Sequence, residues 1–473
     1  MNICSECIGD GYLALVVEAD GENATCSYCS HTGRCISVER LADHVERAFQ
    51  EHYIRTSDYP SEWDEFLMRD PESNHVWERN GEPVEEAIES AASIPAQAAH
   101  DVLGILRARH ADIENDQMHV ESEFGPGTHY EQKYSAALLW QIAWQNFETA
   151  LKTEARYFSR FASEHLAAIF GGIDQLNTND HRQLVAEGGP GTDIETLFRA
   201  RVFQSRPALE AAISRPDLEV GPPPSRYAAA GRMNARGISV FYGATDRAVA
   251  LAEVRPPVGS DVVVAEFRIT RQLRLLNLPA LQAAVDHGSV FDPTLLARLE
   301  RVEFLRTFGS KMTRPVMPDD QDFDYLATQA VADFLATENT PALDGIIFES
   351  TQSGGGSNVV LFHKASRVKE LELPKGTSLR ASTSDEDEDG PYVEYRVVEL
   401  VPPEGEIQAE TAEDDDWSMD DFSQPPRHRD PRPLTLQVNE ESVQVHHVKR
   451  VAVECEAYPV DRTRRVKVEN HRF

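Results

Sequence analysis

Gly231-Arg-Met-Asn-Ala-Arg-Gly-Ile-Ser-Val-Phe-Tyr-Gly-Ala-Thr-Asp-Arg-Ala-Val-Ala-Leu-Ala-Glu253 reads as a turn, a strand and a helix in quick succession. Gly231 and Gly237 permit tight turns, Ile238 to Tyr242 favours a strand, and Ala248 to Glu253 favours a helix. Such a run can bring Arg232, Tyr242 and Glu253 to one wall of a pocket, a set suited to a nucleotide. On these residues alone, an ordinary hairpin with a surface Arg and Glu fits equally well.

The flanks have an α/β texture. Upstream, Ile194 to Phe203 alternates as a strand carrying Arg199 and Arg201, and Pro222 to Pro224 lead into the central run. Downstream, Val262 to Ile269 and Arg274 to Leu278 read as strands, and Asp292 to Arg306 and Tyr325 to Ala336 as helices. Short strands at Gly345 to Phe348 and Asn358 to Phe362 flank Glu349-Ser-Thr-Gln-Ser-Gly-Gly-Gly-Ser357. Glycines beside hydroxyls suit a loop that approaches a ligand closely, though a plain hairpin loop has the same composition. Gly171 to Thr192, with Gly188-Gly-Pro-Gly191, marks the main domain boundary.

Phe198-Arg-Ala-Arg201, Ala230-Gly-Arg-Met-Asn234, Val240-Phe-Tyr242, Ala250-Leu-Ala-Glu253, Tyr325-Leu-Ala-Thr-Gln329, Asp344-Gly-Ile-Ile-Phe-Glu-Ser350 and Asn358-Val-Val-Leu-Phe362 follow one another along the chain. In order and spacing they resemble the RES domain over roughly residues 190 to 370. The resemblance implies a fold similar to ADP-ribosyltransferases, consumption of NAD+, and the role of a toxin or defence effector paired with an antitoxin or inhibitory protein. Met233 follows Arg232 where the family more usually has an aromatic.

That resemblance gives the residue types specific tasks. Cleavage of NAD+ between nicotinamide and ribose passes through a cationic, oxocarbenium-like state, and the pyrophosphate carries negative charge. Arg199 and Arg232 suit the pyrophosphate, because a guanidinium contacts phosphate bidentately. Tyr242 suits stacking on nicotinamide or ribose. Glu253 suits a ribose hydroxyl and the developing positive charge, as carboxylates do in glycoside hydrolysis. Ser350 suits the nicotinamide end or a phosphate oxygen, and Arg201, Asn234 and Ser357 are further binding candidates. Water as acceptor makes a glycohydrolase, inorganic phosphate a phosphorylase, and a protein side chain an ADP-ribosyltransferase; the resemblance favours the first two.

Five of the six cysteines lie in the first 35 residues. Cys4-x-x-Cys7 and Cys26-x-x-Cys29 have the spacing of a zinc ribbon, in which two turns supply four thiolates to one structural Zn2+. His31 and Cys35 are spare ligands, and a disulfide pair is the other reading of the same residues. From Ser37 to about Phe170 the pattern is helical. Leu41, Val45, Ala48 and Phe49, then Val84 to Ala92 and Ala96 to Arg109, mark short helices, and Tyr134 to Phe170 marks one or two long ones. Leu138, Leu139, Ile142, Phe147, Leu151, Phe158, Phe161 and Leu166 are expected to form an apolar face, with Trp63, Trp77, Trp140 and Trp144 as core or interface anchors. Arg160-Phe-Ala-Ser-Glu-His165 has the Arg-x4-His spacing of HEPN ribonucleases, and the zinc-bearing helical region is similar to the HEPN-type domain that precedes RES in some longer bacterial proteins. The HEPN motif usually has a small polar residue directly after the Arg, where Phe161 stands here, so a solvated helix carrying an unrelated Arg and His is the favoured reading of the same six residues.

The formal net charge of −33 opposes non-specific binding to nucleic acid or anionic lipid. No run approaches about 20 apolar residues, and the start lacks a basic segment followed by an apolar one, so a cytoplasmic protein is expected. Asp385-Glu-Asp-Glu-Asp389 and Glu413-Asp-Asp-Asp416 mark an acidic linker expected to be disordered, and Leu434 to Val468 resumes a strand-like alternation. The expected order is a zinc ribbon at 1–36, an α-helical, HEPN-like domain at 37–172, a linker at 173–192, an α/β (α+β) ADP-ribosyltransferase-like RES domain at 193–373, the acidic linker at 374–432 and a β-rich segment at 433–473. Homo-oligomers are expected, and NAD+ is the expected small-molecule partner. The competing functions are a HEPN-type ribonuclease with RES as a nucleotide sensor, a protein ADP-ribosyltransferase, and a non-catalytic NAD-binding module.

Overall fold

In the computed structural model, which describes residues 1–70, 73–111, 121–133, 137–387, 390–403 and 430–464, the chain gathers into two compact units. The first comprises Met1–Ala186, Gly231–Ala235 and Leu275–Leu343, the second Glu187–Ala230, Arg236–Arg274 and Asp344–Phe473. The division does not follow the single boundary that the glycine-rich stretch suggests, because the chain re-enters the first unit twice.

The first unit begins with β1 (Asn2–Cys4), α1 (Gly11–Asp20), β2 (Glu22–Thr25) and β3 (Thr32–Ser37), with β3 central in an antiparallel sheet. Asp10 starts α1 by accepting the Leu13 N–H at 2.8 Å, relieving one of the unpaired donors at a helix start. Ser37 does the same for α2 (Val38–His52). The apolar residues of α2 recur every three or four positions, so Leu41, Val45, Ala48 and Phe49 share one face and are buried. They pack with α3 (Val84–Ala92) and α4 (Ala96–Arg109) in one core.

The helical expectation for this region is incomplete, since Tyr53–Arg55, Glu82–Pro83 and His129–Gln132 form a small antiparallel sheet. The later stretch resolves into α5 (Leu138–Thr153) and α6 (Arg160–Phe170). Its expected apolar face is only partly buried. Trp144, Phe147, Leu151 and Leu166 are inside, whereas Leu138, Leu139, Ile142, Phe158 and Phe161 are exposed. The break after α5 prevents the two helices from sharing one continuous stripe, and Trp144 instead meets Phe304 and Phe308 of the helix Leu295–Thr313. Trp63 is no core anchor either; it is exposed and stacks on Phe66.

The second unit is built on β4 (Thr196–Phe203), β5 (Phe241–Ala244), α7 (Arg247–Glu253), β6 (Asp261–Ile269), β7 (Gly345–Glu349), β8 (Ser357–Leu361), β9 (Val368–Lys369) and β10 (Leu436–His447). Side by side, the strands run β9, β10, β6, β4, β5, β8, β7. Val262 to Ala265 of β6 are buried on both faces, which explains why this strand is a continuous apolar run. The resumed alternation near the C-terminus is a single strand, β10, paired along β6 with an irregularity between Val264 and Glu266; residues 448–464 carry no helix or strand.

The acidic linker is corrected in part. Ser378–Ser382 pairs with Arg396–Leu400, and Asp385–Asp387 pairs with Gly390–Tyr392. Arg396 contacts Glu394 at 2.9 Å and Asp385 at 3.8 Å, so the local negative charge is partly offset. The run Glu413 to Asp416 lies outside the described residues. Among the described residues, no helix is long and apolar enough to cross a membrane.

Candidate active-site cleft

Strands β4 and β5 pair at one register position, Phe198 with Ala244, whereas β5 and β8 pair at four. Where β4 and β5 part, a cavity of about 250 Å³ opens, lined by Phe198, Arg199, Tyr242, Glu253, Phe348 and Asn358 among others. Helix α7 starts on Asp246, which accepts the Ala248 N–H at 2.7 Å, and packs Val249 and Ala250 against Ala244, Phe198 and Ala200. This packing sets Glu253, the last residue of α7, at the cavity.

Two donors converge on one oxygen of Glu253. Ser350 Oγ donates to Oε1 at 2.6 Å, and Asn358 Nδ2 donates to the same atom at 2.7 Å. Ser350 Oγ in turn accepts the Gln352 N–H at 3.2 Å, and Gln352 Oε1 accepts from Arg255 Nε at 3.0 Å. Ser350 and Asn358 are both buried. The loop between β7 and β8 rests on α7 so closely that a Cβ at Gly356, whose φ is +82°, would meet Val249 Cγ2 at 2.5 Å.

Arg199 is half-buried in the opening between β4 and β5. Its Nη1 donates to the Tyr242 carbonyl at 3.1 Å, and its guanidinium lies 5.1 Å from the centre of the Phe241 ring. Burial, with a smaller effect from Arg201, lowers its pKa to about 10, so the cation persists at neutral pH. The cavity therefore combines a fixed positive charge, an aromatic residue and a carboxylate whose orientation two neighbours define.

The other expected site residues are not among those that line this cavity. Arg232 and Asn234 belong to the first compact unit. There Arg232 Nη1 donates to the carbonyls of Met312 (3.0 Å) and Arg314 (2.8 Å), and its guanidinium lies 5.1 Å from the centre of the Tyr325 ring. Thr328 Oγ1 donates to the Arg232 carbonyl at 2.5 Å and Gln329 Nε2 to that of Gly231 at 2.8 Å, which gives the Tyr325–Gln329 motif a structural task. Asn234 is buried and donates to the Ala235 carbonyl. Arg201 is exposed and bonds the Glu219 carbonyl. Ser357 accepts Thr245 N–H and Oγ1 through its own carbonyl and does not line the cavity. Asn358, which the sequence offers only within a motif, is a cavity-lining partner of Glu253 that sequence reasoning did not single out; a polar residue opening an apolar strand was the available signal.

Arg160 and His165 are not brought together. Arg160 is exposed and bonds Glu164 at 2.7 Å, while His165 is buried beside Trp144 and Phe147. Burial holds the His165 imidazole below its ordinary pKa. This is packing geometry rather than a paired phosphate site.

Near the N-terminus, the Sγ atoms of Cys4, Cys7, Cys26 and Cys29 all lie within 4.8 Å of one another. Cys4 to Cys29 is 3.5 Å and Cys26 to Cys7 is 3.9 Å. Zn–S bonds of about 2.3 Å in a tetrahedron place sulfurs about 3.8 Å apart, so the donor set fits zinc. Against burial, which raises it, the N–H groups of Tyr28 and Cys29 hold the Cys26 pKa at about 6. Cys35 stands outside the cluster, its Sγ donating to the Ala24 carbonyl at 3.3 Å, and His31 is not part of it.

The family model described as the RES domain matches residues 196–384. No curated protein and no solved structure matches the chain. RES domains are ADP-ribosyltransferase-like and act on NAD. Over residues 196–384 this chain carries a RES domain, and it is a RES-domain protein.

Proposed function

We propose that the cleft binds NAD+ and cleaves the bond between nicotinamide and ribose. The observation that carries this reading is the Glu253 carboxylate fixed by Ser350 and Asn358 in a cavity that also holds Arg199 and Tyr242. As the C1′–N bond breaks, its electron pair leaves with nicotinamide, which becomes neutral, and positive charge develops on the ribose. Glu253 stabilises that charge, and its two hydrogen-bond donors hold it in place before the reaction, so little reorganisation is needed. Tyr242 flanks the nicotinamide ribose, and Arg199 pairs with the pyrophosphate. Water or inorganic phosphate then forms the new bond to C1′, and the proton of an attacking water passes to solvent. A toxin or defence role fits consumption of a shared cofactor. The four N-terminal thiolates hold a structural zinc with no position left for water.

Incubating the purified protein with NAD+, with and without inorganic phosphate, and following nicotinamide and the ADP-ribose product tests this. Nicotinamide release is expected, and the phosphate dependence of the product identifies the acceptor. Intact NAD+ after incubation with the native protein overturns the enzymatic reading.

A further inference from the structure

The amide of Asn358 has a defined orientation. A carboxylate oxygen only accepts hydrogen bonds, so the atom of Asn358 facing Glu253 Oε1 at 2.7 Å is the donating Nδ2. The carbonyl oxygen, Oδ1, is then the remaining polar atom of a side chain that lines the cavity. Among the described residues, none donates to Oδ1. The same holds for the second oxygen of Glu253, Oε2, since both Ser350 and Asn358 donate to Oε1. Here two acceptors, on side chains already hydrogen-bonded to each other, await two neighbouring donors.

A vicinal diol supplies such a pair. We infer that Asn358 is a specificity-determining residue, its Oδ1 receiving one hydroxyl of the nicotinamide ribose while Glu253 Oε2 receives the other. This rests on the NAD+ reading above and adds a residue and a selection rule to it. A substrate lacking the hydroxyl that meets Asn358 leaves Oδ1 unmet. Sites that hydrogen-bond a substrate hydroxyl reject analogues without it far more strongly than apolar pockets reject a missing methylene.

The test compares kcat/KM for NAD+ with that for analogues deoxygenated at the 2′ or the 3′ position of the nicotinamide ribose, in the native protein and in Asn358→Ala. The native protein is expected to prefer NAD+ by about 10⁴-fold over each analogue. Asn358→Ala is expected to lose that preference for one analogue, to within about threefold, while keeping it for the other. A merely structural role for Asn358 lowers all three rates together and leaves both ratios unchanged, which overturns the inference. If Asn358→Ala instead alters discrimination between NAD+ and nicotinic acid adenine dinucleotide, Oδ1 reads the carboxamide and the inference also fails. Melting curves check folding, and Asn358→Ser, which retains a small polar side chain, replaces the alanine variant if that one does not fold. A native protein that releases no nicotinamide removes the NAD+ reading and this inference together, whereas an active native protein with unchanged ratios removes this inference alone.

Discussion

On the proposed reading Glu253 and Ser350 divide the work at the cleft: one carries the charge, the other fixes where it sits. Glu253→Gln keeps the shape and removes the negative charge, so nicotinamide release is expected to fall by about 100-fold or more at saturating NAD+. Ser350→Ala removes one of two donors to Oε1 and is expected to cost about tenfold in kcat, with a smaller change in KM, because Asn358 still holds the carboxylate. Equal rates for Glu253→Gln and the native protein place the chemistry elsewhere. Arg232 belongs to a different argument. Its Nη1 meets two carbonyls at the end of the helix Leu295–Thr313, so Arg232→Ala is expected to destabilise the protein by about 1–2 kcal/mol in a denaturant titration. The central run of sequence made Arg232 and Tyr242 look like neighbours on one wall. The bridge between Gly231 and Asn234 closes a tight turn, and Thr328 and Gln329, almost a hundred residues later, grip it. Nothing local in the sequence announces those partners.

At the scale of elements, periodicity served well wherever one face of a strand or helix meets a core. The strand expected over Ile194 to Phe203 is β4, and the two helices expected from Val84 and Ala96 end where α3 and α4 end. Periodicity failed where apolar residues outnumber the surface that can cover them, as on α5 and α6, and where charge alone suggested disorder, as at Asp385 to Asp387. Helix α6 also predicts a pH response. Burial lowers the His165 pKa from 6.5, so the unfolded chain takes up its proton first as the solution is acidified. The stability this neutral imidazole contributes is therefore present above about pH 6.5 and is lost as pH falls through the lowered folded value. His165→Leu should flatten the dependence of the urea midpoint on pH between about 7.5 and 5. It should not abolish it, because burial shifts His44 and His52 the same way. An unchanged slope rules His165 out as a contributor.

For the molecule as a whole, the thiol cluster was the part most legible in advance: four cysteines at two spacings, whose sulfurs the fold brings together. One zinc per chain is expected by metal analysis, and a strong chelator or Cys26→Ser should remove it and lower the melting temperature. A chain without zinc that melts at the same temperature excludes a structural metal. The division into compact units was the least legible part. It depends on which distant segments pack together, and a glycine-rich stretch shows only where the backbone can bend.

That interleaving bears on how the protein is made. The first unit needs residues up to Leu343, and the second needs β10 (Leu436–His447), which lines β6. A ribosome adds about 5–20 residues per second, so neither unit can be completed while the earlier part of the chain is emerging. The cleft beside Glu253 belongs to a sheet that gains one of its long strands, β10, long after Glu253 itself has been made. Chains that stop short of β10 would then carry Glu253, Ser350 and Asn358 without the finished sheet, and any activity of the cleft would wait for that strand.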